Sequence, residues 1–235
     1  MKLTILFDNA GGREEGTLPL WGFSCLVEEP RRRWLFDTGS NGRWLLKHAE
    51  TLGTTLEGLD AMIVSHPHWD HIGGIDTVLE ESPGVHCYLP DSLSPRYIRD
   101  IDGLSAGAQV IGASPRRLFD NVWSTGVMGE IGEQSVVIVG ESASVVLTGC
   151  AHPGVAAIAR RAVEMTGAPI GLLMGGFHLM NADDREILET IEALKRLEIE
   201  YFCPTHCTGE RATELFREAF GERVLAGGVG REVGI

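Results

Sequence analysis

Ser65-His66-Pro67-His68-Trp69-Asp70-His71 sets four good metal ligands into six residues, with the spacing HxHxDH. A helix would favour ligands four positions apart, as in the HExxH signature. Here Pro67 favours an extended turn, in which alternate side chains point the same way, so His66 and His68 are expected to reach one ion together. Asp70 and His71 follow the turn and open a helical pattern with Ile75, Val78 and Leu79 on one face. That split suits a second ion beside the first. An ion with three protein ligands keeps an open position for water and lowers its pKa to about 7. Two ions roughly 3.5–4 Å apart would also stabilise the attacking and leaving oxygens of a displacement.

Three more segments place histidine after a strand-like run: Gly149-Cys150-Ala151-His152-Pro153-Gly154, Gly175-Gly176-Phe177-His178 and Pro204-Thr205-His206-Cys207-Thr208-Gly209. Six of the eight histidines thus stand at strand ends, from which they can converge on one metal site. The other two carry no expected duty. His86 reads as a hydrogen-bonded strand residue, and His48 lies in a helical, peripheral stretch.

The chain of 235 residues is 43% hydrophobic, enough for one sizeable core and a single domain over 1–235. Its opening apolar run, Leu3-Thr4-Ile5-Leu6-Phe7, is too short for a signal segment or a membrane span, and five cysteines without framework spacing suit a reducing compartment. A cytoplasmic location is therefore expected. A net charge of −13 argues against nucleic-acid and membrane partners. It leaves room for a small anionic substrate, because divalent ions invert the local field. Arg31-Arg32-Arg33 reads as a solvated hairpin turn after Pro30.

Strand patterns occupy 3–7, 23–27, 34–36, 61–64, 85–89, 136–139, 145–147, 170–174, 201–203 and 224–225. Helical stripes run through Val155, Ile158, Ala159, Ala162 and Val163, through Ile187, Leu188, Ile191, Leu194 and Leu197, and through Ala212, Leu215, Phe216 and Ala219, the last with Thr208 as its expected cap. Early hairpins followed by alternating strands and helices point to sheets covered by helices, an α/β (α+β) fold. The weakly periodic stretch around 91–132 is expected to be a lid or substrate-recognition insert. Arg96, Arg99, Arg116 and Arg117 within it could clamp a phosphate.

His66-Pro67-His68-Trp69-Asp70-His71, together with Leu35-Phe36-Asp37-Thr38-Gly39, resembles the metallo-beta-lactamase superfamily over nearly the whole chain. The resemblance implies a four-layer αββα sandwich with its metal site at the strand ends. It implies that His66, His68 and His152 hold a first ion and Asp70, His71 and His206 a second, with Asp37 hydrogen-bonding a ligand or a metal-bound water. Asp37 also suits a cap on the Thr38-Gly39 turn. Catalytic duty would fall on Asp70, Asp37 and His178. In one respect the sequence departs from the superfamily: where a bridging aspartate is usual, 170–174 runs into Gly175-Gly176-Phe177-His178, so His178 would replace the bridge, contact one metal or bind substrate.

The segments around His152, His178 and His206 further resemble a subgroup named after a 7,8-dihydropterin-6-methyl-4-(ribofuranosyl)aminobenzene-5'-phosphate synthase. In that reaction a pterin diphosphate loses diphosphate as a carbon–carbon bond forms. The leading expectation is a metal-dependent enzyme cleaving a phosphate, diphosphate or ester linkage through one or two divalent ions and a metal-bound water. Zinc comes first as the cofactor, with manganese or iron as alternatives. The rival readings are the dihydropterin diphosphate-dependent synthase, a transferase, and a non-catalytic metal-retaining sensor or partner-binding protein. Cys25, Cys87 and Cys203 read as core, and Trp69 as packing beneath the metal loop. Cys150 and Cys207 adjoin expected ligands, where a thiolate would be a strong zinc donor. Neighbouring side chains usually diverge, however, and small buried cysteines are common, so burial is the leading expectation for both.

Overall fold

A computed structural model of the chain describes residues 1–11 and 16–234. The first part runs β1 (Lys2–Phe7), β2 (Ser24–Glu29), β3 (Arg32–Phe36), α1 (Gly42–Thr51), β4 (Ala61–Ile63), α2 (Trp69–Ile72), α3 (Ile75–Glu81), β5 (His86–Pro90), α4 (Pro95–Leu104) and β6 (Ala108–Ile111). There follow β7 (Arg116–Phe119), β8 (Val122–Ser124), β9 (Val136–Val139), β10 (Ser144–Thr148), α5 (Val155–Thr166), β11 (Ile170–Gly176), α6 (Asp184–Leu194), β12 (Ile199–Thr205), α7 (Glu210–Phe220) and β13 (Glu232–Gly234).

The chain divides into two compact units, one of Met1–Gly112 with Gly227–Ile235 and one of Ala113–Ala226. The first holds a seven-stranded sheet in the order β13-β1-β2-β3-β4-β5-β6. Its β1, β2 and β3 pair antiparallel, whereas β3, β4, β5 and β6 are parallel. Leu45 and Ala49 of α1, Ile75 and Val78 of α3 and Ile101 of α4 pack with Leu6, Leu26, Leu35, Met62 and Leu89 of this sheet. The second unit holds a six-stranded sheet, β12-β11-β10-β9-β8-β7, parallel over β10, β11 and β12 and antiparallel beyond. Against it pack Ile158 of α5, Ile187 and Ile191 of α6 and Phe216 of α7, with Val146, Leu173 and Phe202 beneath. The apolar stripes are therefore the helix faces turned to the sheet, as a 3.6-residue period requires.

Several local expectations need correction. The single helix expected after Asp70 is two, because α2 stops before Gly73-Gly74 and α3 restarts at Ile75. Backbone crowding explains the glycines: a Cβ on Gly73 would lie 2.4 Å from Ser40 O, and one on Gly74 equally close to Thr38 O. Val224 forms only an isolated bridge to Phe202 rather than a strand. Thr208 does not cap α7, whose N-cap is Gly209; its hydroxyl donates to Thr205 O and accepts from Phe177 N. The stretch around 91–132 carries α4, β6, β7 and β8. Strand β7, Arg116-Arg117-Leu118-Phe119, forms an edge whose first residues are exposed, so it leaves no apolar run to read. His48 is buried, not peripheral, and Trp69 is 63% exposed rather than packed under its loop.

No helix of the described residues is long and apolar enough to cross a membrane. Of the arginine run only Arg31 lies in the β2–β3 turn; Arg32 and Arg33 are already in β3, where Arg33 bonds Glu28, Thr54 Oγ1 and the Thr55 and Glu57 carbonyls. Cys25, Cys87 and Cys203 lie in strands and are buried; burial pushes the Cys87 thiol up to about 11.

Candidate metal centre

Each candidate side chain follows the carboxyl end of a parallel strand, where open α/β sheets place their ligands. In the first unit Asp37 follows β3, and Ser65 and His66 follow β4 by way of Val64. In the second, Cys150 and His152 follow β10, His178 follows β11, and His206 opens a short 3-10 turn after β12. Among the described residues, five outside glycine have positive φ, and four of them are Asp37, Ala151, His178 and His206. Strain of this kind costs of order 1–3 kcal/mol per residue and collects where function aims a side chain.

In the first unit, His66, His68, Asp70, His71 and Asp37 come together. His66 Nε2 and His68 Nδ1 face each other at 3.0 Å. Two nitrogens on one tetrahedral zinc would be about 3.3 Å apart. The His71 ring centroid is 4.2 Å from that of His66, and its Nε2 is 3.7 Å from Asp70 Oδ2.

Asp37 sets the proton positions. Its Oδ1 accepts the Ser65 backbone N–H and its Oδ2 the Ser65 hydroxyl, each at 2.7 Å. With its only hydrogen committed, Ser65 Oγ can only accept at His66 Nδ1, 2.8 Å away. Asp37 Oδ2 also lies 2.7 Å from His71 Nδ1. Both rings are thereby held as the tautomer that leaves Nε2 unprotonated, the form a metal requires.

The second unit repeats the device with Glu133, which is 1% exposed. Glu133 Oε1 accepts the backbone N–H of Cys150 and Ala151 at 2.9 and 2.8 Å, while Oε2 accepts the His152 N–H at 2.9 Å and its Nδ1–H at 2.7 Å. That last bond makes His152 Nε2 the ring atom suited to a metal. Its ring lies 4.4 Å from that of His178. Ligand atoms of Cys150, His152 and His178 lie within 4.8 Å of one another, as do those of Cys150, His206 and Cys207. Hydrogen bonding to Cys207 raises the His178 pKa. The neighbouring Cys150 side chain holds Cys207 well below the usual thiol range, against the effect of burial, and the Cys207 thiol donates to Cys150 O at 3.4 Å.

The donor chemistry fits divalent metal: His66, His71 and His152 each have Nδ1 engaged by a hydrogen bond, which presents Nε2 as the ligating atom, and in the first unit Asp70 lies beside His71. The six expected ligands divide four to the first unit and two to the second. Reading the sequence missed Ser65 and Glu133. Ser65 immediately precedes the motif and was open to notice for that reason; Glu133, seventeen residues from Cys150, carries no sequence signal.

The family model of the metallo-beta-lactamase superfamily matches residues 22–206. The chain belongs to this superfamily. It is 28% identical over 257 aligned residues, 87% of each chain, to the 7,8-dihydropterin-6-methyl-4-(beta-D-ribofuranosyl)-aminobenzene-5'-phosphate synthase of Methanocaldococcus jannaschii. Among solved structures, a metal-dependent hydrolase of the beta-lactamase superfamily matches with TM-score 0.83 and 26% identity, covering 100% of this chain and 99% of the other. The metallo-beta-lactamase fold protein YhfI of Bacillus subtilis matches with TM-score 0.71 at 17% identity, covering 99% of each chain, a likeness of fold alone. Two mixed sheets with helices packed on them are thus the metallo-beta-lactamase fold expected from the HxHxDH and Asp37 segments.

Proposed function

We propose that the protein is a metal-dependent enzyme acting at a phosphate, diphosphate or ester linkage of a small anionic molecule. His66, His68 and His152 would hold one ion, and Asp70, His71 and His206 a second. The observation that carries this reading is that Asp37 and Glu133 fix imidazole tautomers from beneath, an arrangement with no purpose in a core that merely packs. When bound, the ions supply Lewis acidity, activating water and stabilising the departing oxygen. The protein's own part is positional. Asp37 and Glu133 orient the rings, Asp70 contributes negative charge beside them, and His178, which is exposed, would meet substrate or move a proton.

A second reading, diphosphate displacement from a dihydropterin, is supported by the likeness to the synthase over 87% of both chains. Both readings need stabilisation of an anionic leaving group. The zinc- or manganese-loaded protein should be offered phosphodiesters, thioesters, lactones and a dihydropterin diphosphate, with and without an aminobenzene riboside phosphate acceptor. Hydrolysis of an ester class supports the first reading, and acceptor-dependent diphosphate release the second. Metal-loaded protein inert to every class would count against both and favour a non-catalytic role.

A further inference from the structure

The second unit keeps two buried thiols beside its imidazoles that the proposed chemistry leaves unused. Cys150 is 4% exposed and Cys207 6%. Both sulfurs lie within 4.8 Å of each other and of a His206 ring nitrogen. Adjacent side chains usually diverge, but His206 has a left-handed φ of 50°, which turns the chain so that its ring and the Cys207 sulfur fall in one cluster. Gly176, at the end of β11, makes the room. A Cβ there would lie 2.6 Å from Cys207 Sγ and 2.5 Å from Gly149 O. Donors on one tetrahedral zinc lie about 3.3–3.8 Å apart, within the spread of this cluster.

Charge gives the thiol a reason to ligate. Of the six proposed ligands only Asp70 is anionic, so two dications would be left far from neutral, and β11 ends in Gly175-Gly176-Phe177-His178 without a carboxylate. We propose that Cys207 is a thiolate ligand of the ion held by His206, with the Cys150 thiol hydrogen-bonded to its sulfur. This inference rests on the metal-enzyme reading. On binding, the S–H bond of Cys207 breaks, its proton passes to solvent and a sulfur–metal bond forms, with no change of oxidation state. A soft donor at this position favours zinc or cobalt over manganese or magnesium.

The test is titration of the metal-depleted full-length chain with Co2+, reading the visible d–d bands separately from the near-ultraviolet sulfur-to-cobalt charge-transfer band. Both are expected. Cys207→Ser should lose the charge-transfer band and keep the visible bands, whereas Cys150→Ser should keep both. Visible bands without charge transfer in the unaltered protein overturn the thiolate while leaving the metal reading intact. A charge-transfer band that survives Cys207→Ser also overturns it, and no spectral change at all overturns both. Cadmium NMR of the unaltered protein gives an answer even where Cys207→Ser fails to fold: a resonance in the sulfur-ligated region supports the proposal, and resonances confined to the nitrogen- and oxygen-ligated region refute it.

Discussion

Glu133 accepts four hydrogen bonds in a place that water barely reaches, three from consecutive backbone N–H groups and one from His152 Nδ1. Those bonds hold the turn after β10 in its positive-φ conformation at Ala151 and leave the His152 ring one orientation. Glu133→Gln keeps the shape but turns one acceptor into a donor, which cannot serve the two donors now on that oxygen. Loss of such a supporting contact to a metal-binding histidine typically weakens metal affinity by about 10–100-fold. Competition with a chelator should show a loss of that order in Glu133→Gln. An affinity equal to that of the unaltered protein would mean that Glu133 only braces the turn.

At the scale of elements, one imidazole adds a polar tie between α1 and its sheet to the apolar packing of Leu45 and Ala49. His48 Nδ1 donates to Leu6 O at 2.8 Å, and Nε2 accepts the Leu18 N–H at 3.1 Å, so only the neutral ring satisfies both neighbours. Burial holds its pKa below the ordinary 6.5, against the opposing hydrogen bond to Leu6. The unfolded chain therefore binds this proton first as pH falls. The contribution of His48 is complete above about pH 6.5 and declines as pH drops from there through the lower folded value. Denaturant unfolding at about pH 7.5 and about pH 5 should show that His48→Gln loses less stability on acidification than the unaltered protein. Equal losses would show that His48 does not titrate between them.

The same scale shows what the sequence made legible. The stripes of α5, α6 and α7 and the strands β4, β10 and β11 were readable because a single apolar period ran through each. Strands β7 and β13 were not, since both are short and half-exposed edges. HxHxDH announced its candidate ligands because it is local, and Asp37 was found because its segment resembles the superfamily's. Glu133 stayed hidden because its partners are brought to it by folding. His48 misled for the converse reason: its ring is covered by Phe7 from β1 and by Trp44 and bonded to the backbone of Leu6 and Leu18, partners that are mostly distant in sequence.

For the whole molecule, the proposed ligand set draws on both units and on segments from His66 to His206. Metal bound to the folded chain alone would add to its stability by mass action, so thermal midpoints should rise with free metal. The acidic surface, −13 in formal charge, would attract cations broadly, so weak adventitious ions must be removed before counting. The central claim is two ions on six named side chains, and elemental analysis after loading and exhaustive dialysis addresses it most directly. The unaltered protein should retain about two equivalents of transition metal, and Asp70→Asn about one, because the amide keeps the shape of the ligand and loses its charge. Protein that retains no metal, or Asp70→Asn with the same stoichiometry as the unaltered chain, would contradict the assignment.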